Sequence, residues 1–233
     1  MSNPENKRAL FDGELAYKTD LDRPGDTLFV TFGGLAQGIV VPPFDFHRIV
    51  KDLPVKLAFF RDVSQTWYHG DLPGIGSGIR SVAAKIEELK AECGAKRVVL
   101  VGNSMGAYAG LVVGDLIQAD EVIAFAPQTF LTRWLRFRFG DRRAKNEIAN
   151  LRRVGESIKG SLDLMNYFTT PGYKRARIYA DRTHKIDYDH AMRIADKANT
   201  ETHWVEEGAH AMIKKLHRKG EFKRILASAC EAD

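Results

Sequence analysis

The chain of 233 residues has only two cysteines, Cys93 and Cys230. Neither stands in a metal-ligand spacing, so neither a zinc site nor a disulfide framework underlies the fold. Reduced thiols in a cytoplasm are the expectation. No stretch approaches the roughly 20 apolar residues of a membrane span. The opening Met1–Arg8 leads into no apolar segment of the signal-peptide kind. Repeats and low-complexity tracts are lacking, and no nucleic-acid module is recognisable. Acidic residues run short in one place. Between Leu131 and Gly160 there are nine Lys or Arg and three Asp or Glu, although the whole chain carries a net charge of only +5.

What is present belongs to a globular protein: 44% hydrophobic and 10% aromatic residues. Apolar runs of strand length alternate with amphipathic stretches of helix length, which predicts an α/β fold. Its centre would be a mostly parallel sheet with helices on both faces. Strands are predicted at Thr27–Phe32, Val55–Phe60, Arg97–Val101, Glu121–Ala126, Arg175–Ala180 and Thr202–Glu206. Helices are predicted at Ser77–Glu92, with Ser77 as N-cap and Gly94 as the stop, and at Met105–Ile117 and Asp189–Ala198. An edge hairpin is expected at Leu10–Tyr17 around Asp12-Gly13. A C-terminal helical segment should run from about Ala211 to Ala229, broken near Gly220. Residues 128–173 interrupt the alternation, so one domain, 1–233, with a small, basic, helical cap at about 128–173 is expected.

The most informative segment is Gly102-Asn103-Ser104-Met105-Gly106, directly after Val98–Val101 and directly before a helix. Strand, Gly-x-Ser-x-Gly, helix is the context of a nucleophile elbow. The flanking glycines leave room for a sharp turn that exposes the serine Oγ. The N–H of Met105 would then point where an oxyanion forms. A second donor is expected from the Gly-rich loop after the first core strand, at Leu35 or Gly34. The serine needs a base, and His210, after the last strand, is the best placed of seven histidines. The acid belongs in the loop after Arg175–Ala180. Asp187 is preferred there to Asp181, and a helix-capping role competes for Asp187.

With these parts in chain order, the sequence resembles the α/β-hydrolase superfamily. Phe32-Gly33-Gly34, the elbow at Ser104, a loop aspartate and His210 match positions that this family uses. Phe60-Arg61-Asp62, Trp67-Tyr68, Ala124–Phe130 and Asp187-x-x-His190-Ala191 look like small bacterial hydrolase-like proteins. One departure stands out: Thr183 occupies the position where many members carry the acid.

The resemblance implies a serine hydrolase that cleaves an ester or related acyl bond through an acyl-enzyme, with no metal or organic cofactor. Trp67 and Tyr68 follow the second core strand at its carboxyl end, where they are candidates either to line the pocket or to pack into the core. Arg133 and Trp134, in the aromatic and cationic run 131–139, are candidates to bind an anionic or glycan-linked acyl substrate. The same run would serve an anionic membrane or partner. The alternative function is a catalytically weak hydrolase fold that recognises an anionic ligand or partner through its basic cap.

Overall fold

The computed structural model describes residues 15–35, 44–206 and 212–230. Seven strands form one sheet in the order β1-β3-β2-β6-β7-β8-β9. They are Tyr17–Asp20 (β1), Thr27–Phe32 (β2), Lys56–Phe60 (β3), Arg97–Asn103 (β6), Glu121–Phe125 (β7), Ala176–Asp181 (β8) and Thr200–Val205 (β9). All neighbours are parallel except the edge pair β1–β3. Asp71–Leu72 (β4) and Gly76–Ser77 (β5) make a separate small ribbon.

The central strands are rich in Val, Leu and Phe because both of their faces are covered. Alternate residues divide between two apolar layers. Leu28, Val30, Phe32, Val98 and Leu100 face one layer with helices Ile79–Cys93 (α2) and Met105–Ile117 (α3). Phe29, Leu57, Phe59, Val99 and Val101 face the other. That layer is completed by His47–Val50 (α1), Met212–Arg218 (α8) and Glu221–Ser228 (α9). Burying each of these large side chains contributes roughly 1.5–3 kcal/mol.

Between β7 and β8 the chain leaves the sheet. It forms Arg133–Phe139 (α4), Lys145–Val154 (α5) and Leu164–Tyr167 (α6), and returns through a bridge between Phe130 and Asp163. After β8 comes Lys185–Met192 (α7).

Several boundaries move. Helix α2 is entered through Gly78 at φ 79° with no side-chain cap, not through Ser77. Ser77 instead pairs with Asp71 in the small ribbon. Gly94 closes the helix at φ 64°, as its lack of a side chain permits. Helix α7 starts at Lys185, four residues before the expected Asp189, because Asp187 in its first turn suits the positive end of the dipole. The break at Gly220 is present, at φ 70°. Most of the expected hairpin lies outside the described residues; β1 pairs with β3 instead.

Candidate active site

Strand β2 has β3 on one side and β6 on the other, so the chain reverses its direction of winding between β2 and β6. In open α/β sheets the ligand crevice opens beyond the carboxyl ends of the strands at such a point. Phe32 and Gly102 are in register there. The next residues are the Gly33-Gly34 loop on one strand and Ser104 on the other.

Ser104 sits at φ 55°, ψ −116° between β6 and α3. A non-glycine residue in that region stores about 1–3 kcal/mol of strain. Its own N–H stays in the sheet, donating to the Phe125 carbonyl at 2.9 Å. The two glycines are required by contact. A Cβ on Gly102 would lie 2.2 Å from the Gly106 backbone, and one on Gly106 would lie 2.3 Å from the Phe32 carbonyl oxygen. Met105 to Gly114 are all buried. Met105 N–H is the first of α3, and a helix leaves its first donors without partners of its own. Beside the serine, Asn103 Oδ1 is buried and no described group donates to it.

The loop after β2 is held from several sides. Gly33 N–H donates to the Phe60 carbonyl at 2.8 Å. Tyr68 OH donates towards the Gly33 and Phe60 carbonyls at 3.1 and 3.3 Å. Gly34 N–H donates to Asp45 Oδ2 at 2.8 Å. Gly34 was one of two expected oxyanion donors; in this structure its N–H is taken by a carboxylate. Leu35, the other, is half-buried against the core. Burial raises the Asp45 carboxyl above its ordinary value, while the Gly34 bond works against that shift. Asp45 was not foreseen. Its flanks, Phe44 and Phe46, are the only sequence sign of a carboxylate held close to apolar surface.

The two candidate aspartates occupy different surroundings. Asp181 is the last residue of β8, fully buried, and in register with Val205 of β9. Its Oδ1 accepts both the N–H and the hydroxyl of Thr183 at 2.7 Å. Asp187 lies in the first turn of α7, also buried. Arg143 Nη1 donates to it at 2.8 Å, and His184 Nδ1 lies 3.0 Å from its other oxygen. The preferred acid therefore faces the insertion and is held by an arginine from it. His210 lies outside the described residues; β9 ends at Val205, beside Asp181.

Arg143 belongs to a larger buried network. Asp141 accepts from Arg136 and Arg143, each at 3.0 Å, and from His190 Nε2 at 3.3 Å. Thr129 N–H donates to His190 Nδ1 at 2.9 Å, so the ring proton sits on Nε2. Burial lowers the His190 pKa to about 4, against the pull of Asp141. Burial alone would raise the Asp141 carboxyl, but bonds from His190 and Arg143 hold it well below the usual range.

Trp67 and Tyr68 do not line an open pocket. Both are fully buried. The Asp62 carboxylate winds their loop around itself, accepting from the N–H groups of Ser64, Thr66 and Tyr68 at 3.0, 2.6 and 2.8 Å. Gln65, Trp67 and Tyr68 all take positive φ to achieve this. Trp67 Nε1 donates to Gln128 at 2.7 Å, fixing the start of the insertion. His69, next in line, is buried and bonded to Tyr108 of α3 and to Ser157 of the insertion, each at 2.7 Å. Arg133 and Trp134 are instead exposed on α4.

No family model matches the chain, and no curated protein matches it. Solved structures do. The capsule O-acetyltransferase of Neisseria meningitidis serogroup A is 14% identical, covers 90% of each chain and gives a TM-score of 0.65. A monoacylglycerol lipase from Paleococcus ferrophilus is 12% identical over 93% of this chain and 98% of its own, TM-score 0.58. MenH from S. aureus is 11% identical over 91% and 97%, TM-score 0.60. The fold is that of the α/β-hydrolases. In this fold the nucleophile elbow and the oxyanion loop meet, and here the turn at Ser104 and the Gly33-Gly34 loop are in direct contact, Gly106 against the Phe32 and Gly33 carbonyls and Gly34 against that of Asn103.

Proposed function

We propose that the protein is a serine hydrolase acting on an ester or related acyl bond. The observation that carries the proposal is Ser104: a strained, non-glycine residue at φ 55°, between two glycines that cannot be replaced without backbone clashes. Strain of this kind persists where function maintains it.

Ser104 Oγ attacks the acyl carbon and its proton passes to His210. The oxyanion is held by the N–H groups of Met105 and Leu35. The tetrahedral intermediate collapses, the leaving alkoxide takes the proton from His210, and an acyl-serine remains. Water, deprotonated by the same imidazole, then releases the acid and restores Ser104. We assign the orienting acid to Asp181 rather than Asp187. Asp181 ends β8 in register with the end of β9, from which the chain runs on to His210, and its Oδ1 accepts from the neutral N–H and hydroxyl of Thr183. Asp187 is engaged by a cation.

A second reading keeps the acyl-serine and replaces water by a hydroxyl acceptor. It is favoured by the likeness to the capsule O-acetyltransferase over 90% of both chains. The first experiment is labelling with a fluorophosphonate, located by mass spectrometry, with Ser104→Ala as control. Labelling at Ser104 that the control loses supports either reading, and a sugar or alcohol acceptor that yields a new ester selects the second. A folded protein that resists labelling overturns both and leaves the ligand-binding alternative.

A further inference from the structure

The basic insertion carries a feature that the serine chemistry does not use. Helix α4 keeps Arg136 inside and turns Trp134 and Phe137 outward, 64% and 81% exposed. Their rings are 6.5 Å apart, three residues along one face. They are not a loose tip. Thr132 caps the helix, Gly140 closes it, and Arg136 is fastened to Asp141 and to the Arg143 carbonyl. A rigid helix therefore holds two large aromatics in the open, which soluble surfaces rarely do without a partner.

Directly beside Phe137 lies a cavity of about 320 Å³, lined also by Arg142, Lys145 and Arg152. Lys145 and Arg152 are seven residues apart on α5 and share a face. Among the described residues no carboxylate pairs with any of these three cations. The one carboxylate in the cavity wall, Asp141, is already bonded by Arg136, Arg143 and His190. Three unpaired cations in one concavity fit an anionic oxygen group, such as a phosphate monoester or diester.

We propose that this face docks on an anionic phospholipid bilayer, with Trp134 and Phe137 entering the apolar layer while Arg142, Lys145 and Arg152 grip headgroup phosphates. A bilayer supplies both halves of the match in fixed order: phosphate above, hydrocarbon below. A hydrated glycan would stack on the indole but offers no apolar depth to a phenyl ring that is 81% exposed. The docking is independent of whether Ser104 is nucleophilic, so its test reads binding alone.

The test is co-sedimentation of the full chain with vesicles of phosphatidylglycerol and phosphatidylcholine in equal parts, against pure phosphatidylcholine. Binding to the mixed vesicles should weaken with added salt. Removing the three charges in Arg142→Gln, Lys145→Gln, Arg152→Gln should weaken it by about fivefold per charge, about a hundredfold in all. Trp134→Ser with Phe137→Ser should weaken it about tenfold and remove the blue shift of tryptophan emission. All five side chains face outward, so circular dichroism of the variants should be unchanged. Absence of vesicle binding overturns the proposal. So does equal binding by the charge variant, or capture of glycerol phosphate in solution without vesicle binding, which would mark a free-anion site.

Discussion

Asp181 and Asp187 are six positions apart, both buried, and held in opposite ways. Asp181 takes its bonds from the N–H and hydroxyl of Thr183. Asp187 meets the guanidinium of Arg143, which also holds Asp141. Neutral donors fix a carboxylate oxygen in place without cancelling its charge. A cation cancels that charge and turns the carboxylate into a fastening. The proposed function puts chemistry at the carboxyl edge of the sheet and cohesion in the insertion network, and substitution can break that division.

The largest separation should come from exchanging the two carboxylates for amides. Asp181→Asn should lower kcat/KM by about 10³–10⁴-fold through loss of the imidazole tautomer, with little change in the urea midpoint. Asp187→Asn should do the reverse: near-normal turnover per folded molecule, with stability reduced because Arg143 is left short of a partner. If Asp187→Asn instead loses activity and Asp181→Asn does not, the assignment of the acid is inverted. Next, Asp141→Asn should destabilise the protein by about 3 kcal/mol, because Arg136 and Arg143 remain buried without their shared carboxylate. Chemical denaturation of the purified variant measures this.

Acid should act on the cohesive side first. His69 and His190 are both lowered by burial to about 4 from the ordinary 6.5. The unfolded chain therefore binds protons that the folded one refuses. Stability is fully present above pH 6.5 and is lost as pH falls towards 4, by up to about 3 kcal/mol for each ring. Imidazole NMR signals from both rings should stay in the neutral position down to about pH 5. Smallest of all, Thr183→Val removes one bond to Asp181 Oδ1 and should lower kcat by about tenfold with KM unchanged.

Much of the fold was legible because its signals are local. The runs Thr27–Phe32 and Val98–Val101 are mostly apolar in sequence and buried at every residue, as strands covered on both faces must be. The turn at Ser104 was legible for the same reason: strand, glycines and helix are adjacent in sequence. What was not legible depends on partners far along the chain. Nothing near Asp187 reveals that Arg143 will reach it. Nothing near Gly34 reveals that Asp45 will take its N–H. Trp67 and Tyr68 read equally as pocket walls or as packing from their place after a strand. Only the positive φ values around the Asp62 carboxylate turn them inward. In the insertion, the run from Arg133 to Phe139 could equally face in or out, and the fastening of Arg136 to Asp141 decides it.

The tension at Ser104 also has a history written into it. In a lineage released from acyl chemistry, selection would cease to maintain a serine at φ 55°. Glycine relieves that conformation by about 1–2 kcal/mol and would spread by drift alone. Gly102 and Gly106 have no such exit, since the Gly106 and Phe32 backbones bar any side chain at either. Under the proposed function, descendants that abandon acyl transfer should therefore keep both outer glycines and lose the serine between them, so that position 104 alone among the three would record the change.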